Sequence, residues 1–212
     1  MSFHCFRAPS TILIPPICIL FSLGSNTSTQ SHWKPEYGTI FDFKTKDLQG
    51  NDFDFADLRG RVLLIVNVAC DCGYTKSSYT EMVKIHKDFA GKNFEIVAFP
   101  SNQFGAQESR PEDEIKQYVS DKFGVTFPLL QKSDVNGKDM NPIYGFLKQS
   151  LPGDITWNFA AKFVVDAEGR PIARFENQSW SEIEKYIQGV LDGSIQGNFV
   201  EQQPQQPQQP QQ

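Results

Sequence analysis

Cysteine is scarce in this chain: Cys5, Cys18, Cys70 and Cys72 are all it has in 212 residues. So few, with two of them a single residue apart, make no disulfide framework, so the fold must stand on its core. Histidine is scarcer still, with three. A metal centre would need Cys70, Cys72, His32 and His86 together, and these share no finger-like spacing. Basic residues are outnumbered, 20 Lys and Arg against 25 Asp and Glu, giving a net charge of −5 and a pI near 5.2. No Lys/Arg cluster reverses that balance locally, which argues against a nucleic-acid partner. No apolar run is long enough for a transmembrane segment, and there are no internal repeats.

What is present divides the chain into four parts. Residues 1–24 hold one basic residue, Arg7, and no acid. The apolar run TILIPPICILFSL leads to the small-x-small pattern Ser22-Leu23-Gly24. This reads as a signal peptide for the secretory pathway, with organelle targeting or a cytoplasmic chain as the alternatives. Cleavage there removes Cys5 and Cys18. Asn26 and Asn177 both stand in glycosylation sequons, which fit secretion. Residues 25–36 read as a linker, 37–197 as one folded domain, and 198–212 as a disordered Gln/Pro tail with nothing to bury.

Within the domain, Thr39–Phe43 and Phe53–Phe55 alternate on either side of a Gln49–Asp52 turn and predict an amino-terminal hairpin. Val62–Val66 is apolar without alternation, as is expected of a strand covered on both faces. Ser77–Ala90 has helical spacing, with His86 on its apolar face as a core or edge histidine. Phe94–Phe99 is the next buried strand, and Pro111 with the acids after it opens a helix that Gly124 closes. Phe127–Leu130 is expected as a short strand and Pro142–Lys148 as a short helix. Lys162–Asp166 and Arg170–Phe175 form a hairpin, and Trp180–Leu191 is the last helix. The order β-α-β-α-β-α-β-β-α calls for an α/β, thioredoxin-like three-layer sandwich: a mixed central sheet with an amino-terminal β-hairpin.

That order puts Cys70 and Cys72 between the first buried strand and the first long helix, at the carboxyl edge where open α/β sheets bind ligands. A thiol beside a helix amino terminus faces unpaired N–H groups that favour its anion. Read alone, the pair is either a reactive site or two buried fillers. Three other stretches bear on the choice: Phe99-Pro100-Ser101-Asn102-Gln103-Phe104-Gly105-Ala106-Gln107-Glu108, Asp134-Val135-Asn136-Gly137 and Trp157-Asn158-Phe159. With Asn67-Val68-Ala69-x-x-Cys72-Gly73-x-Thr75 they resemble the glutathione peroxidase family, in order, from about Thr39 to Leu191.

The resemblance implies a peroxidatic Cys72 with Gln107, Trp157 and Asn158 as its tetrad partners. Side-chain amide and indole N–H groups are neutral donors, able to stabilise a thiolate without a fixed cation. It implies attack on the peroxide O–O bond and a Cys72 sulfenic acid, then reduction by thiols. Glutathione or thioredoxin would be the reducing co-substrate, with no prosthetic cofactor and hydroperoxides as partners. Only about twenty residues separate Asn136-Gly137 from Trp157, which matches the compact, monomeric relatives active on phospholipid hydroperoxides.

The chain also departs from the family. Ser120 and Ser101 stand where relatives have cysteines, so the usual internal disulfide is missing and direct regeneration by glutathione or another small thiol is favoured. Cys70 stands where relatives have Ser and is a candidate resolving thiol. The segment Phe159-Ala160-Ala161-Lys162-Phe163 is one residue longer than usual, suggesting a bulge at a strand start. Two other readings stay open: thiol–disulfide exchange by Cys70 and Cys72, and a catalytically silent binding protein.

Overall fold

The structure is a computed structural model that describes residues 38–195. The expected leader, linker, Asn26 sequon and Gln/Pro tail lie outside the described residues.

Two short strands, β1 (Lys44–Lys46) and β2 (Asp52–Asp54), pair antiparallel as a separate hairpin. The chain then enters the central sheet through β3 (Val62–Val68), crosses over α1 (Thr75–Asp88) and returns as β4 (Phe94–Pro100). Helices α2 (Glu112–Phe123) and α3 (Pro142–Ser150) follow, then the hairpin β5 (Lys162–Val165) and β6 (Pro171–Phe175), and α4 (Trp180–Leu191). The sheet runs β4-β3-β5-β6, with β3 parallel to β4 and antiparallel to β5. All seven residues of β3 are buried, as its unbroken apolar run requires.

The alternation of side chains along β3 splits the core in two. Leu64, Val66 and Val68 pack with Tyr79 and Met82 of α1, Ile115 and Val119 of α2, and Ile183 and Ile187 of α4. Leu63 and Ile65 face the other way, with Ile143, Tyr144 and Leu147 of α3 and the aromatics Phe41, Phe43 and Phe55. These are the three layers expected. His86 is an edge residue: its Nε2 lies 2.9 Å from Glu95 Oε1 and its Nδ1 3.3 Å from Thr126 Oγ1.

Two expected strands differ. Thr39–Phe43 is not a strand, because Ile40–Asp42 forms a 3-10 turn closed by a Thr39/Asp42 capping box. The turn buries Ile40, Phe41 and Phe43 together, which a strand of period two cannot do. It is also docked, with the Ile40 N–H donating to Gly169 O at 2.9 Å. A Cβ on Gly169 would meet the Phe41 ring at 2.7 Å, so only glycine admits this approach. Phe127–Leu130 likewise reduces to two isolated bridges, Leu129 to Ala98 and Leu130 to Asp47. Pro128 O accepts the Ala98 N–H and the Leu130 N–H donates to Ala98 O, closing one bridge, but Pro128 has no N–H to extend it, so the ladder stops. A single parallel crossover, β3-α1-β4, therefore builds the sheet.

Candidate active site

The loop from Ala69 to Tyr74 joins β3 to α1 and is shaped by one buried hydroxyl. Thr75 Oγ1 donates to Ala69 O at 2.7 Å and accepts from the Cys72 N–H at 3.1 Å, while the Thr75 N–H donates to Cys72 O at 3.0 Å. This folds Cys72 back onto the amino-terminal turn of α1. Its sulfur accepts the Tyr74 N–H at 3.5 Å, a backbone donor from that turn. Cys72 stays 8% exposed, against 3% for Cys70.

A second loop carries Gln107. Gly105 and Ala106 both take left-handed backbone angles, φ 63° and 52°, and turn the chain so that Gln107 O accepts the Asp71 N–H at 3.0 Å. The two cysteines therefore flank a residue bonded to the backbone of Gln107. A Cβ on Gly105 would lie 3.5 Å from Trp157 and 3.6 Å from the Gln107 side chain, so these groups crowd the glycine. A third segment brings Trp157 and Asn158. Asn67 at the end of β3 donates from Nδ2 to Trp157 O at 3.1 Å and accepts the Phe159 N–H at 2.9 Å.

Gln107, Trp157 and Asn158 are thus together. Asn158 Nδ2 donates to Gln107 Oε1 at 3.0 Å and to Phe104 O at 3.4 Å. Its amide hydrogens are engaged there, so Asn158 orients Gln107, whose own amide N–H groups are left for another acceptor. The Trp157 indole is 40% exposed and lies 6.1 Å from the Phe104 ring. Tyr74, Trp157 and Trp180 border an open groove of 690 Å³, with Glu81, Lys162 and Asn177 also on its wall.

The Phe159–Phe163 segment, expected to bulge at a strand start, turns before β5 instead. Phe159 takes φ 61° and the Ala160 N–H returns to Trp157 O at 3.3 Å. The pairing irregularity of β5 and β6 lies further on, between Val164 and Val165. Ser120 and Ser101 leave Cys70 and Cys72 as the free cysteines among the described residues.

Cys70 has a different set of neighbours. Burial first, then the Glu108 carboxylate, push its thiol well above the usual thiol range. Burial pushes the Glu108 carboxyl up to about 7, against the opposing pull of the Cys70 thiol and backbone N–H. Neither Glu108 oxygen meets hydrogen-bond geometry, although the side chain is fully buried. A glutamate in a polar loop reads as solvated, and nothing in its sequence context marks this one as buried. Thr75 and the Tyr74 N–H had a signal, the start of a helix just after a cysteine.

Residues 40–148 match the profile of the glutathione peroxidase family. The chain is 46% identical over 158 residues to "Glutathione peroxidase 1" of Helianthus annuus, covering 72% of this chain and 94% of that protein. It is 44% identical over 158 residues to "Phospholipid hydroperoxide glutathione peroxidase 1, chloroplastic" of Arabidopsis thaliana, covering 72% and 66%. Among solved structures it is similar to glutathione peroxidase 1 of T. cruzi, with a TM-score of 0.61 at 34% identity, covering 74% of this chain and 99% of that one. The chain therefore belongs to the glutathione peroxidase family, the thiol-dependent enzymes that reduce hydroperoxides.

Proposed function

We propose that Cys72 is the peroxidatic thiol, with Gln107 and Trp157 as donors to its anion and Asn158 as the group that orients Gln107. The observation that carries this reading is the Cys72 sulfur at the amino-terminal turn of α1. It takes one backbone N–H at 3.5 Å, one residue from a backbone bond to Gln107. A thiolate so held attacks the terminal oxygen of a hydroperoxide. The O–O bond breaks, water or an alcohol leaves, and Cys72 becomes a sulfenic acid that thiols reduce.

The substrates are hydrogen peroxide and organic or lipid hydroperoxides, and the role is protection against oxidative stress. The open groove edged by Tyr74, Trp157 and Trp180 supports a bulky hydroperoxide. The reductant is glutathione or another thiol, and the working unit is a monomer. For residues 1–24, a secretory signal remains the reading from the sequence. The chloroplastic name of one relative supports the organelle alternative, and the amino-terminal sequence of the mature protein decides between them.

Steady-state peroxide reduction with glutathione and with thioredoxin, on wild type and Cys72→Ser, tests the assignment. Activity is expected to vanish with Cys72, and a variant that retains it overturns the reading.

A further inference from the structure

Buried polar groups without partners are costly and rare, so each calls for a cause. Glu108 has two such oxygens, directly after Gln107 in sequence. The bond from the Asp71 N–H to Gln107 O lays the Cys70-Asp71-Cys72 loop against the Gln107-Glu108 segment. Cys70 and Glu108 meet in that contact, both sealed from solvent at 3% and 0% exposure. The Tyr79 hydroxyl of α1, also buried and without a hydrogen bond, faces the same two groups. The cations nearby are turned to other partners, although Arg110 Nε is itself buried without one. Arg110 pairs with Asp71 at 2.6 Å, and Lys132 Nζ donates to the carbonyls of Glu108 and Arg110. The orphaned carboxylate thus has a buried thiol as its neighbour, and that thiol lies two residues from the peroxidatic one.

We infer that Glu108 is the base for an internal resolving step, in which Cys70 closes a disulfide with oxidised Cys72. The inference rests on Cys72 being the peroxidatic residue.

The step balances without a further oxidant. Peroxide has already left Cys72 as a sulfenic acid. The Cys70 thiol gives its proton to the Glu108 carboxylate, and its freed electron pair attacks the Cys72 sulfur. The S–S bond forms as the S–O bond breaks, and the leaving hydroxyl takes the proton back from Glu108 and departs as water. Cys70 is oxidised and Cys72 is reduced to the disulfide level. A dithiol protein of the thioredoxin class, or two equivalents of glutathione, then supplies two electrons. The Cys-x-Cys ring is tight, so its disulfide is readily reduced.

This arrangement accounts for a thiol that is buried and held neutral. Until its neighbour is oxidised, Cys70 is no target for peroxide, because the thiol reacts far more slowly than the thiolate. It also supplies an internal resolving thiol to a chain with serine at positions 101 and 120.

The test treats the reduced full-length protein with one equivalent of hydrogen peroxide in the absence of reductant, blocks free thiols and reads intact and peptide masses. Wild type is expected to lose two hydrogens and to yield a Cys70–Cys72 linked peptide. Cys70→Ser should instead gain one oxygen, trapped by dimedone on Cys72. In Glu108→Gln the sulfenic acid should outlive its formation, with linkage slowed by about a hundredfold; a merely structural loss would lower both steps alike. Wild type that gains an oxygen trappable at Cys72 and forms no link overturns the inference and leaves the peroxidase reading standing. Failure of Cys72 to oxidise in any form overturns the peroxidase reading itself. Wild type decides the linkage, and linkage at the wild-type rate in Glu108→Gln, or in Glu108→Ala where the glutamine variant does not fold, overturns the role of Glu108 as base.

Discussion

Cys70 and Cys72 stand two residues apart, yet they belong to different environments. Cys72 is anchored at both ends of its peptide unit by Thr75, and its sulfur receives an N–H from the first turn of α1. Cys70 faces a carboxylate that has no hydrogen bond of its own, and burial holds it as a neutral thiol. The loop after β3 explains how near neighbours diverge: the Thr75 bonds fold Cys72 back onto the first turn of α1, while the Asp71 N–H bond to Gln107 O lays Cys70 against the Gln107-Glu108 segment. What distinguishes the two thiols is therefore the set of donors and charges around each, since exposure differs little between them.

The largest effect that sharpens this contrast is at the nucleophile. Cys72→Ser is expected to lower peroxide reduction by more than about a thousandfold in steady-state assays. Cys70→Ser is expected to keep the first oxidation, read as peroxide consumed in a single turnover. Next come the partners proposed for Cys72. Gln107→Ala removes a donor and abandons Asn158 Nδ2, and kcat/KM should fall by about a hundredfold; Trp157→Phe keeps the ring but loses the indole N–H, and should cost about tenfold. Wild-type rates in both variants would show that these residues do not act on the sulfur.

On the Cys70 side the expected effect is on stability against pH. The groups facing the Glu108 carboxyl are Cys70 and Asp71 from the β3–α1 loop, Lys132 and the Tyr79 hydroxyl. Its affinity for a proton is higher folded, with a pKa near 7, than unfolded, near 4.5. The contribution to stability is therefore whole below 4.5 and is lost as pH rises through 7, a difference of roughly 3 kcal/mol. Glu108→Gln should lack this slope, and above pH 7 it should resist urea better than wild type. Parallel pH profiles for the two chains would show that Glu108 does not titrate in this range.

Much of this was legible before any coordinates. The unbroken apolar run at Val62 and the apolar stretch at Phe94 marked the covered strands, and the last helix was read as Trp180–Leu191, its observed bounds. Thr39–Phe43 misled because alternation in five residues fits a strand, whereas the decisive contact, Ile40 to Gly169, is about 130 residues away and leaves no local trace. The site was legible in two degrees. A cysteine just before a helix marks a candidate nucleophile from local physics alone. Gln107, Trp157 and Asn158 became visible only through the family resemblance, since each is ordinary in its own stretch. Glu108 was not legible at all, because burial of a charged residue in a polar loop is decided by tertiary packing, here by the Cys70-Asp71 loop brought against it.

Smaller effects come from the framework that separates the two sulfurs. Thr75→Val keeps the shape of the side chain but leaves the Cys72 N–H and Ala69 O without their shared hydroxyl. Burial of both groups makes the loss about 1–3 kcal/mol in chemical unfolding. The same change frees the Cys72 backbone, so peroxide reduction should fall alongside stability.

The smallest effect is expected at Asp71, between the cysteines. Its pair with Arg110 is short, 2.6 Å, but the two side chains are 46% and 31% exposed, so solvent screens most of the attraction. Asp71→Asn should change stability by less than about 1 kcal/mol. The backbone N–H of Asp71, which holds the loop to Gln107, survives the substitution. Peroxide reduction should therefore stay close to wild type at both low and high salt. A large loss of activity in Asp71→Asn would mean that the charge, rather than the backbone bond, fixes the loop, and the separation of the two thiols would then rest on the surface ion pair.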